Sequence, residues 1–503
     1  MITKPVDRAF NVEVVSEHIN TTFLEELIST HSKKLAPRYR KYQKLYENKH
    51  KIAGRPRKDA NKPNNKLAND FFGQIIDNTV GYFLGNPIIL NYVEPVKEKS
   101  NVDPADVGVD LTEIGDTAVQ DAMDIIFADN DKDDLMMEWG KEAMIKGLSH
   151  LLAYQNEESK TKIMRVSPED AVLVYKNSST KELQYFIRLY DIDTEDTGKT
   201  THYAEVYDES GYDIFTCTDD GTKTGYSGYS FVERKPHIYG RIPVATFYNN
   251  EEQMSDLERV ETLVNDYDKV ISDVSNEFEA FRNAYLMLKN MVADSRSIGK
   301  LKEEGIIEVM ENGDVKFITK QIQTEALENH LNRLAQNIYT FSQVPNLSDE
   351  NFAGNLSGVA IRFKLFGLET KCIIKERKME KAIKDLFRVL SVPLRVNTGK
   401  APDVANLKIE FTRNVPNNIT EIVDTVCKLE GKVSKETLLA LLNFVDNPKD
   451  ELEKLEADKQ KEKESADIYS TANVANDEAN LFPNLNAGTS FAGLPNAIPL
   501  GKQ

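Results

Sequence analysis

Lysines that follow a glycine are the first candidates for chemistry in this sequence, because the phosphate-binding loop GxxxxGK[ST] uses such a lysine. That loop also requires a glycine five residues before the second glycine, and a serine or threonine after the lysine. Six Gly-Lys pairs occur, beginning at Gly140, Gly198, Gly299, Gly399, Gly431 and Gly501, and none has the earlier glycine. Only Lys199 is followed by a threonine, and Asp193 stands where that pair would need the first glycine. The sequence therefore argues against an ATPase.

A run of aspartates is the next candidate, for a calcium loop. Asp129, Asp131 and Asp133 have the DxDxD spacing. However, Asp134 stands where the loop needs glycine, and Gly140 where it needs a bidentate glutamate. We therefore predict that these acids cap a helix over residues 129–154, whose dipole they complement. The seven histidines show no metal-ligand spacing, and no HExxH, GxSxG or GxGxxG motif occurs.

The three cysteines, Cys217, Cys372 and Cys427, form no CxxC pair. An odd number without such a pair indicates neither a disulfide framework nor a zinc site, and buried free thiols are the simpler interpretation. No catalytic residue, metal ligand or cofactor-binding residue is predicted. The chain is therefore not expected to be an enzyme or to need a cofactor.

The strongest charge feature is a basic segment, residues 33–66, with 13 Lys or Arg and only two acidic residues. The remaining chain holds 50 basic and 79 acidic residues. Tyr39, Tyr42 and Tyr46 are interleaved, so the segment is suited to phosphate contacts and base stacking. A solvated surface or a dock for an acidic partner subunit is the alternative. The acidic remainder should repel phosphates.

Length and composition predict a folded protein of two to four domains, since 503 residues with 40% hydrophobic and 29% charged side chains are ordinary for globular chains. No run approaches the ~18 apolar residues of a membrane span, and the first residues lack the apolar region of a secretory signal. We expect a cytosolic protein without a membrane partner.

The elements around these residues predict an α+β fold. Residues 71–93 have the pattern of an amphipathic helix followed by a strand. Short β-branched and aromatic runs between residues 162 and 248 indicate an antiparallel sheet. Two helices then follow with heptad spacing, beginning at Leu257 and Leu327, and we expect them to pack antiparallel. Ser255 and Glu258 have the spacing of a capping box at the start of the first.

Between these helices, GIIEVMENGDVKFIT predicts a hairpin that turns at Asn312-Gly313 and that needs a further neighbour to be stable. After the second helix, the Asn/Gly-rich stretch NFAGNLSGVAIRF opens a third helix, which we expect to end before Pro393. Two short helices broken at Gly431, with Ser434 as a cap, form an αα-hairpin. A DNA-reading helix-turn-helix is disfavoured because the second helix offers only Lys435 near its start.

The chain resembles the portal proteins of tailed double-stranded-DNA bacteriophages, in the siphophage subfamily of Gram-positive hosts. The resemblance covers roughly residues 35–465 and depends on the order and spacing of several segments. These segments are NNKLANDFFGQIIDNTVGYFLGNPI (64–88), FYNNEEQMSDLERVETLVNDYDKVISDVSNEFEAF (247–281), GNLSGVAIRFKLFGLETK (354–371), and FTRNVPNNITEIVDTVCKL with GKVSKETLLALLNFVDNPKDELEKLE (411–456).

The resemblance implies a ring-forming portal fold in which long helices surround an axial tunnel. Its parts would be a basic N-terminal arm (1–65), a wing with the antiparallel sheet (66–250), a first stem helix (251–282), a clip (283–322), a second stem helix (323–344), a tunnel loop (345–358), a long tunnel helix with a wing strand (359–417), a helical crown (418–470) and a disordered tail (471–503).

The resemblance also implies residues for each task. The tunnel loop would present Ser348, Asp349, Glu350, Asn351, Phe352, Gly354, Asn355, Ser357 and Gly358. The DNA-facing candidates are His330, Arg333, Arg362 and Lys364, although helical faces could equally bury them against neighbouring subunits. The candidates for the motor dock on the clip are Lys289, Lys300 and Lys302.

The implied function is a channel at one capsid vertex for packaging and ejection of double-stranded DNA. The implied partners are eleven further copies in a ring of twelve, the DNA, the terminase large subunit, scaffolding and major capsid proteins, and head-completion (adaptor) proteins. The protein would reside in the virion, and in the host cytoplasm before assembly. The alternatives are a packaging enzyme or nuclease, and a capsid adaptor or scaffold that assembles through its heptad helices without a channel.

Overall fold

The computed structural model describes residues 10–11, 19–60, 62–94, 117–176, 182–194, 199–218, 228–281, 285–289, 314–318, 324–347, 358–415, 426–442, 445, 451–452 and 454–458. The chain divides into two units, Met1–Val415 and Pro416–Gln503. The helices of the first unit are α1 (Thr21–Thr30), α2 (Ala36–Tyr46), α3 (Phe71–Leu84), α4 (Ala118–Ala128), α5 (Lys132–Lys146), α6 (Glu261–Phe281), α7 (Thr324–Ser342) and α8 (Gly358–Thr398).

The strands of this unit are β1 (Phe10–Asn11), β2 (Ile89–Tyr92), β3 (Leu148–Gln155), β4 (Thr161–Val166), β5 (Ala171–Tyr175), β6 (Leu183–Thr194), β7 (Lys199–Tyr207), β8 (Gly211–Thr218), β9 (Ser230–Pro236), β10 (Val244–Tyr248), β11 (Tyr285–Lys289), β12 (Asp314–Ile318) and β13 (Leu407–Glu410). One sheet has the order β1-β5-β6-β7-β8-β9 and a second has the order β10-β3-β4. The predicted antiparallel strands are confirmed, but they belong to two sheets, and β1 pairs parallel to β5.

The helix predicted over residues 129–154 is wrong in its second half. α5 ends at Lys146 because Gly147 adopts φ 98°, the left-handed conformation that stops a helix at little steric cost. The apolar residues that follow form β3, whose backbone pairs with both β10 and β4. The acidic first turn of α5 is confirmed, since Asp133 and Asp134 both lie there. The predicted capping is wrong for the other two aspartates, because the Asp131 side chain at the N-cap accepts no hydrogen bond from the helix and Asp129 is the C-cap residue of α4.

The hydrophobic core gathers around α8, which runs for 41 residues, about 60 Å, past α3, α4 and the β10-β3-β4 sheet. Trp139 of α5 is fully buried against Phe247 of β10, and its Nε1 donates to the backbone oxygen of Ser149 at 3.0 Å. The expected end of this helix before Pro393 is wrong. α8 continues to Thr398 with Pro393 inside, and Leu390 and Leu394 on either side of the proline are fully buried.

The two heptad helices are confirmed as α6 and α7, which contact each other. α6 leads into β11, and β12 precedes α7. Because Tyr285 pairs with Ile318 in the antiparallel β11-β12 ladder, the end of α6 and the start of α7 lie together. The two helices therefore pack antiparallel. β11 is also the partner that β12 needs, whereas residues 305–313 of the predicted hairpin lie outside the described residues.

The predicted capping box of α6 is wrong. The helix begins at Glu261, six residues after Ser255. The Ser255 hydroxyl accepts from the backbone N–H of Leu257 at 3.1 Å, so it shapes the preceding turn. Glu258 is engaged elsewhere, in an ion pair with Arg38.

The second unit contains α9 (Lys435–Ala440) among its described residues. The Ser434 hydroxyl accepts from the N–H of Thr437 at 3.2 Å, so the predicted cap is confirmed. Gly431 adopts φ 78° in the turn before it, a conformation that glycine adopts without strain. The residues 471–503, predicted to be a disordered tail, lie outside the described part.

Candidate functional site

The basic segment 33–66 lies against acidic side chains of its own chain. Three ion pairs join Arg38 to Glu258, Lys41 to Glu261, and Arg55 to Asp273. All three acids belong to α6 or to the turn that leads into it. The acidic partner that the sequence left open is therefore, for these cations, the first heptad helix of the same chain.

Buried polar contacts reinforce this attachment. Nδ1 of His50 lies 2.5 Å from Oδ2 of Asp268, and both side chains are buried. The other Asp268 oxygen accepts from the backbone N–H of Asn69 at 2.8 Å, and the Ser272 hydroxyl accepts from that of Leu67 at 2.9 Å. Buried hydrogen bonds of this kind hold a segment more firmly than exposed ion pairs do. The segment is therefore fixed along α6.

Two of the three interleaved tyrosines of the basic segment are parts of the core. Tyr39 and Tyr42 are 2% and 3% exposed, and the hydroxyl of Tyr46 donates to Oδ1 of Asp77 at 2.9 Å. A ring that is buried in the core cannot stack on a nucleotide. The interpretation in which these tyrosines stack on nucleic acid is therefore wrong for Tyr39 and Tyr42.

A buried charge cluster joins α8 to the turn before α6. Asp256 lies at its centre, with its two carboxylate oxygens 2.9 Å from Nζ of Lys371 and 2.8 Å from Nζ of Lys375. Lys375 also donates to Oδ1 of Asn249, and Lys371 donates to the backbone oxygen of Ser342 at 3.2 Å. Because Ser342 ends α7, this cluster connects the helices on both sides of residues 348–357.

Burial and charge oppose each other inside this cluster. Burial alone would raise the pKa of Asp256, but the ammonium groups of Lys371 and Lys375 outweigh it and hold that pKa well below its usual range. Burial lowers the pKa of Lys375 to about 8, against the attraction of Asp256. The cluster is therefore a largely buried ion-pair network in which the attraction between the charges outweighs the effect of burial on Asp256.

Two of the DNA-facing candidates share one face of α7. His330 and Arg333 are three residues apart and both exposed, and Nε2 of His330 lies 3.8 Å from Oδ2 of Asp266 on α6. The other two candidates, Arg362 and Lys364, both lie on α8. Residues two positions apart point about 200° apart on a helix, so these two cannot both face one surface.

The tunnel-loop candidates fall mostly outside the described residues. Ser348, Asp349, Glu350, Asn351, Phe352, Gly354, Asn355 and Ser357 lie there, and Gly358 is the first residue of α8. Among the clip candidates, Lys289 ends β11, whereas Lys300 and Lys302 lie outside the described residues.

An exposed apolar face on α8 is the functional feature that sequence reasoning missed. Phe363, Phe366, Ile373 and Ile374 are 77%, 68%, 41% and 51% exposed. At about 100° per residue they share one side of the helix, roughly opposite the buried face that contains Leu368. The helix is thus apolar on two sides, and within the part of the chain that the structure describes only one of them is buried in the core.

The signal for this second face was present in the sequence. Ile361, Leu365, Leu368 and Cys372 have the spacing of one apolar helix face, and the two phenylalanines and two isoleucines near them do not belong to that face. A surface helix normally carries polar residues opposite its core face. Large apolar residues on both faces therefore predict burial from two sides.

No group of three His, Cys, Asp or Glu side chains among the described residues is arranged to hold a metal ion. In the same residues, every helix is too short or too polar to cross a bilayer. What stands out instead is a basic segment held along the first heptad helix, α6, and a long helix with an exposed apolar face.

Comparison with known proteins matches the chain to one family. The family model described as "Phage portal protein, SPP1 Gp6-like" matches residues 25–465. The portal protein of Bacillus phage SPP1 is 26% identical over 459 residues, which cover 87% of this chain and 86% of that protein. The portal protein of Clostridium phage phiCD119 is 26% identical over 310 residues, 59% of this chain and 66% of that protein. The resemblance seen in the sequence is confirmed, and the chain belongs to the SPP1 Gp6-like family of phage portal proteins.

Proposed function

We propose that the chain assembles into a ring, of twelve copies in the capsid, around a channel at one vertex. Double-stranded DNA enters through this channel during packaging and leaves through it on ejection. Membership of the portal family supports the role. The structural observation that carries the proposal is the exposed apolar face of α8.

This face favours a ring over a single chain because it is too apolar to remain in water. Burying a large side chain such as phenylalanine contributes about 1.5–3 kcal/mol, and the face offers four such residues. The opposite side of α8 already packs in the core of its own chain. The partner surface therefore belongs to another copy, and contacts between two different surfaces close into rings when the rotation allows it.

The parts of the ring follow the family plan. Residues 251–282 and 323–344 form the stem, 283–322 the clip, 345–358 the tunnel loop, 66–250 the wing, and 418–470 the crown. The clip, with Lys289, Lys300 and Lys302, docks the terminase large subunit and later the head-completion proteins. Scaffolding and major capsid proteins surround the ring in the virion.

The channel acts by electrostatics. Each phosphate that a lysine or arginine neutralises adds binding that the motor must break again. The chain has a net charge of -18, and three cations of its basic segment are paired with its own acids, so the proposed walls repel the duplex. A few cationic side chains from the set His330, Arg333, Arg362 and Lys364 keep the DNA duplex centred in the channel.

Electron microscopy of the purified protein tests the proposal. Class averages should show a ring with an open centre. A solitary globule, or an assembly whose centre is filled by protein, would exclude a channel; the filled assembly would favour a capsid adaptor or scaffold. An ATPase assay on the same sample should be negative, and turnover would favour a packaging enzyme.

A further inference from the structure

A cavity of about 710 Å³ lies between α8 and the two sheets that contain β5 and β10. β5 and β10 form one wall and α8 the other. The four carboxylates on its lining belong to Glu182, Glu209, Glu251 and Asp385. Its cationic side chains are Arg241, Lys378 and Lys381.

Each of these carboxylates already has a cation partner. Glu182 and Glu209 lie 3.4 and 3.3 Å from Nζ of Lys176. Asp385 lies 2.5 Å from Nη1 of Arg388, and Glu251 pairs with Lys378. Because Lys176 serves both glutamates, three partner cations face these four carboxylates.

Two of the cations have no such partner. Neither Arg241 nor Lys381 has an ion pair or hydrogen bond to any part of the chain that the structure describes. Arg241 is half-buried, and burial lowers the pKa of its guanidinium against the attraction of Asp385. With Arg241 and Lys381 included, five cations face four carboxylates in and beside the cavity, so its net charge favours an anionic group.

The cavity continues the exposed apolar face of α8. Lys381 follows Ile374 by seven residues, which is about two turns, so both lie on the same side of the helix. The distance along the helix axis is about 10 Å. A partner that covers Phe366 and Ile374 therefore also reaches the mouth of the cavity.

The partner that fits is a second copy of this chain. Outside the basic segment the chain has 79 acidic and 50 basic residues, so most surfaces of a neighbour present carboxylates. We propose that an aspartate or glutamate of the neighbouring copy enters this cavity and pairs with Arg241 and Lys381. A guanidinium binds a carboxylate through two parallel hydrogen bonds, which fixes the register of the contact.

This inference rests on the proposed ring, and the test separates the two. A photo-crosslinking amino acid in place of Gln253, a neutral residue on the cavity lining, keeps both cations in the full-length chain. Rings are first confirmed by electron microscopy and then irradiated. Absence of rings would reject the proposed function and this inference together.

In intact rings we expect covalent dimers whose linked peptide contains an aspartate or glutamate. Mixing chains labelled with ¹⁵N and unlabelled chains identifies links between copies. Crosslinks that stay within one chain, or that reach a peptide without a carboxylate, would overturn the inference and leave the ring intact.

A pair of variants gives an independent test. R241Q/K381Q should raise the protein concentration at which rings half-dissociate by about tenfold or more. K408Q is the matched control, because Lys408 is an exposed lysine on β13 away from the cavity. The melting temperature of the dissociated chains should be the same in all three proteins. Unchanged dissociation of the double variant would overturn the inference.

Discussion

Nζ of Lys375 lies 2.8 Å from Oδ1 of Asp256, and both side chains are buried where α8 crosses the turn before α6. Lys371 pairs with the second Asp256 oxygen and also donates to Ser342 at the end of α7. One carboxylate therefore holds both helices that flank residues 348–357 against the base of the first heptad helix.

Asp256→Asn should be the most destabilising change in this cluster. It leaves two buried ammonium groups without a counter-charge, and loss of one partner from a buried pair costs about 3–5 kcal/mol. Lys375→Met should cost less, because Asp256 keeps Lys371. Urea unfolding at one protein concentration measures both, with Glu158→Gln as an exposed control that should change nothing. Equal costs for the two cluster variants would contradict the central role of Asp256.

Because of this cluster, the free energy of unfolding should rise as the pH rises through the alkaline range. The pKa of Lys375 is lowered from 10.5 to about 8 in the folded chain. Between these values the unfolded chain binds more protons than the folded chain, so the free energy of unfolding rises with pH. The free energy of unfolding of the wild type, minus that of the Lys375→Met variant, should therefore be larger at pH 10 than at pH 7. A shift in favour of the variant would contradict the burial of a charged lysine.

Tyr42→Ala should destabilise the protein, because Tyr42 fills the core beneath the basic segment. A large-to-small change of a buried aromatic costs about 3–5 kcal/mol, whereas Tyr42→Phe keeps the ring and should cost much less. Thermal unfolding compares the two variants. A Tyr42→Ala protein of unchanged stability but weaker DNA binding would restore the stacking interpretation.

Phe363→Ser combined with Phe366→Ser should abolish rings and leave the single chain folded, because both side chains are exposed in that chain. Leu368→Ser is the matched control on the opposite face of α8. Its side chain is buried, so the same chemical change should lower the melting temperature of the chain. Native mass spectrometry and thermal unfolding separate the effects. Full rings from the double variant would show that this face is not an interface.

Replacement of Gly354 and Gly358 by proline should impair genome packaging if the loop at 345–358 must shift as DNA passes. Gly358 is the first residue of α8, a position where proline is tolerated, so the helix should survive. Gly367→Ala within α8 is the control, since the new Cβ would make only ordinary contacts, 3.8 Å from Gln343. Normal packaging by the proline variant would contradict a moving loop.

The sequence predicted those elements whose periodicity was long and unbroken. The heptads of α6 and α7 and the strands between residues 162 and 248 depend on local pattern alone, and they were confirmed. Boundaries were harder to predict. Gly147 ends α5 and Pro393 does not end α8, because the core on either side decides which local preference prevails.

Contacts between distant segments were beyond prediction from pattern. Arg38 and Glu258 lie 220 positions apart, and nothing local distinguishes them from other surface charges. The family resemblance predicted the order of the parts along the chain. It did not predict that the basic segment, residues 33–66, packs along α6. The second apolar face of α8 was the exception, since its four large residues were visible in the sequence.

The attachment of residues 38–69 to α6 also has a consequence for synthesis on the ribosome. Arg38 emerges about 220 residues before its partner Glu258. At a translation rate of 5–20 residues per second, the basic segment is synthesised roughly 10–40 s before the acidic residues of α6 that it pairs with. A nascent chain in this interval is a polycation beside messenger RNA, so early release or slow translation should expose it to trapping before it can fold.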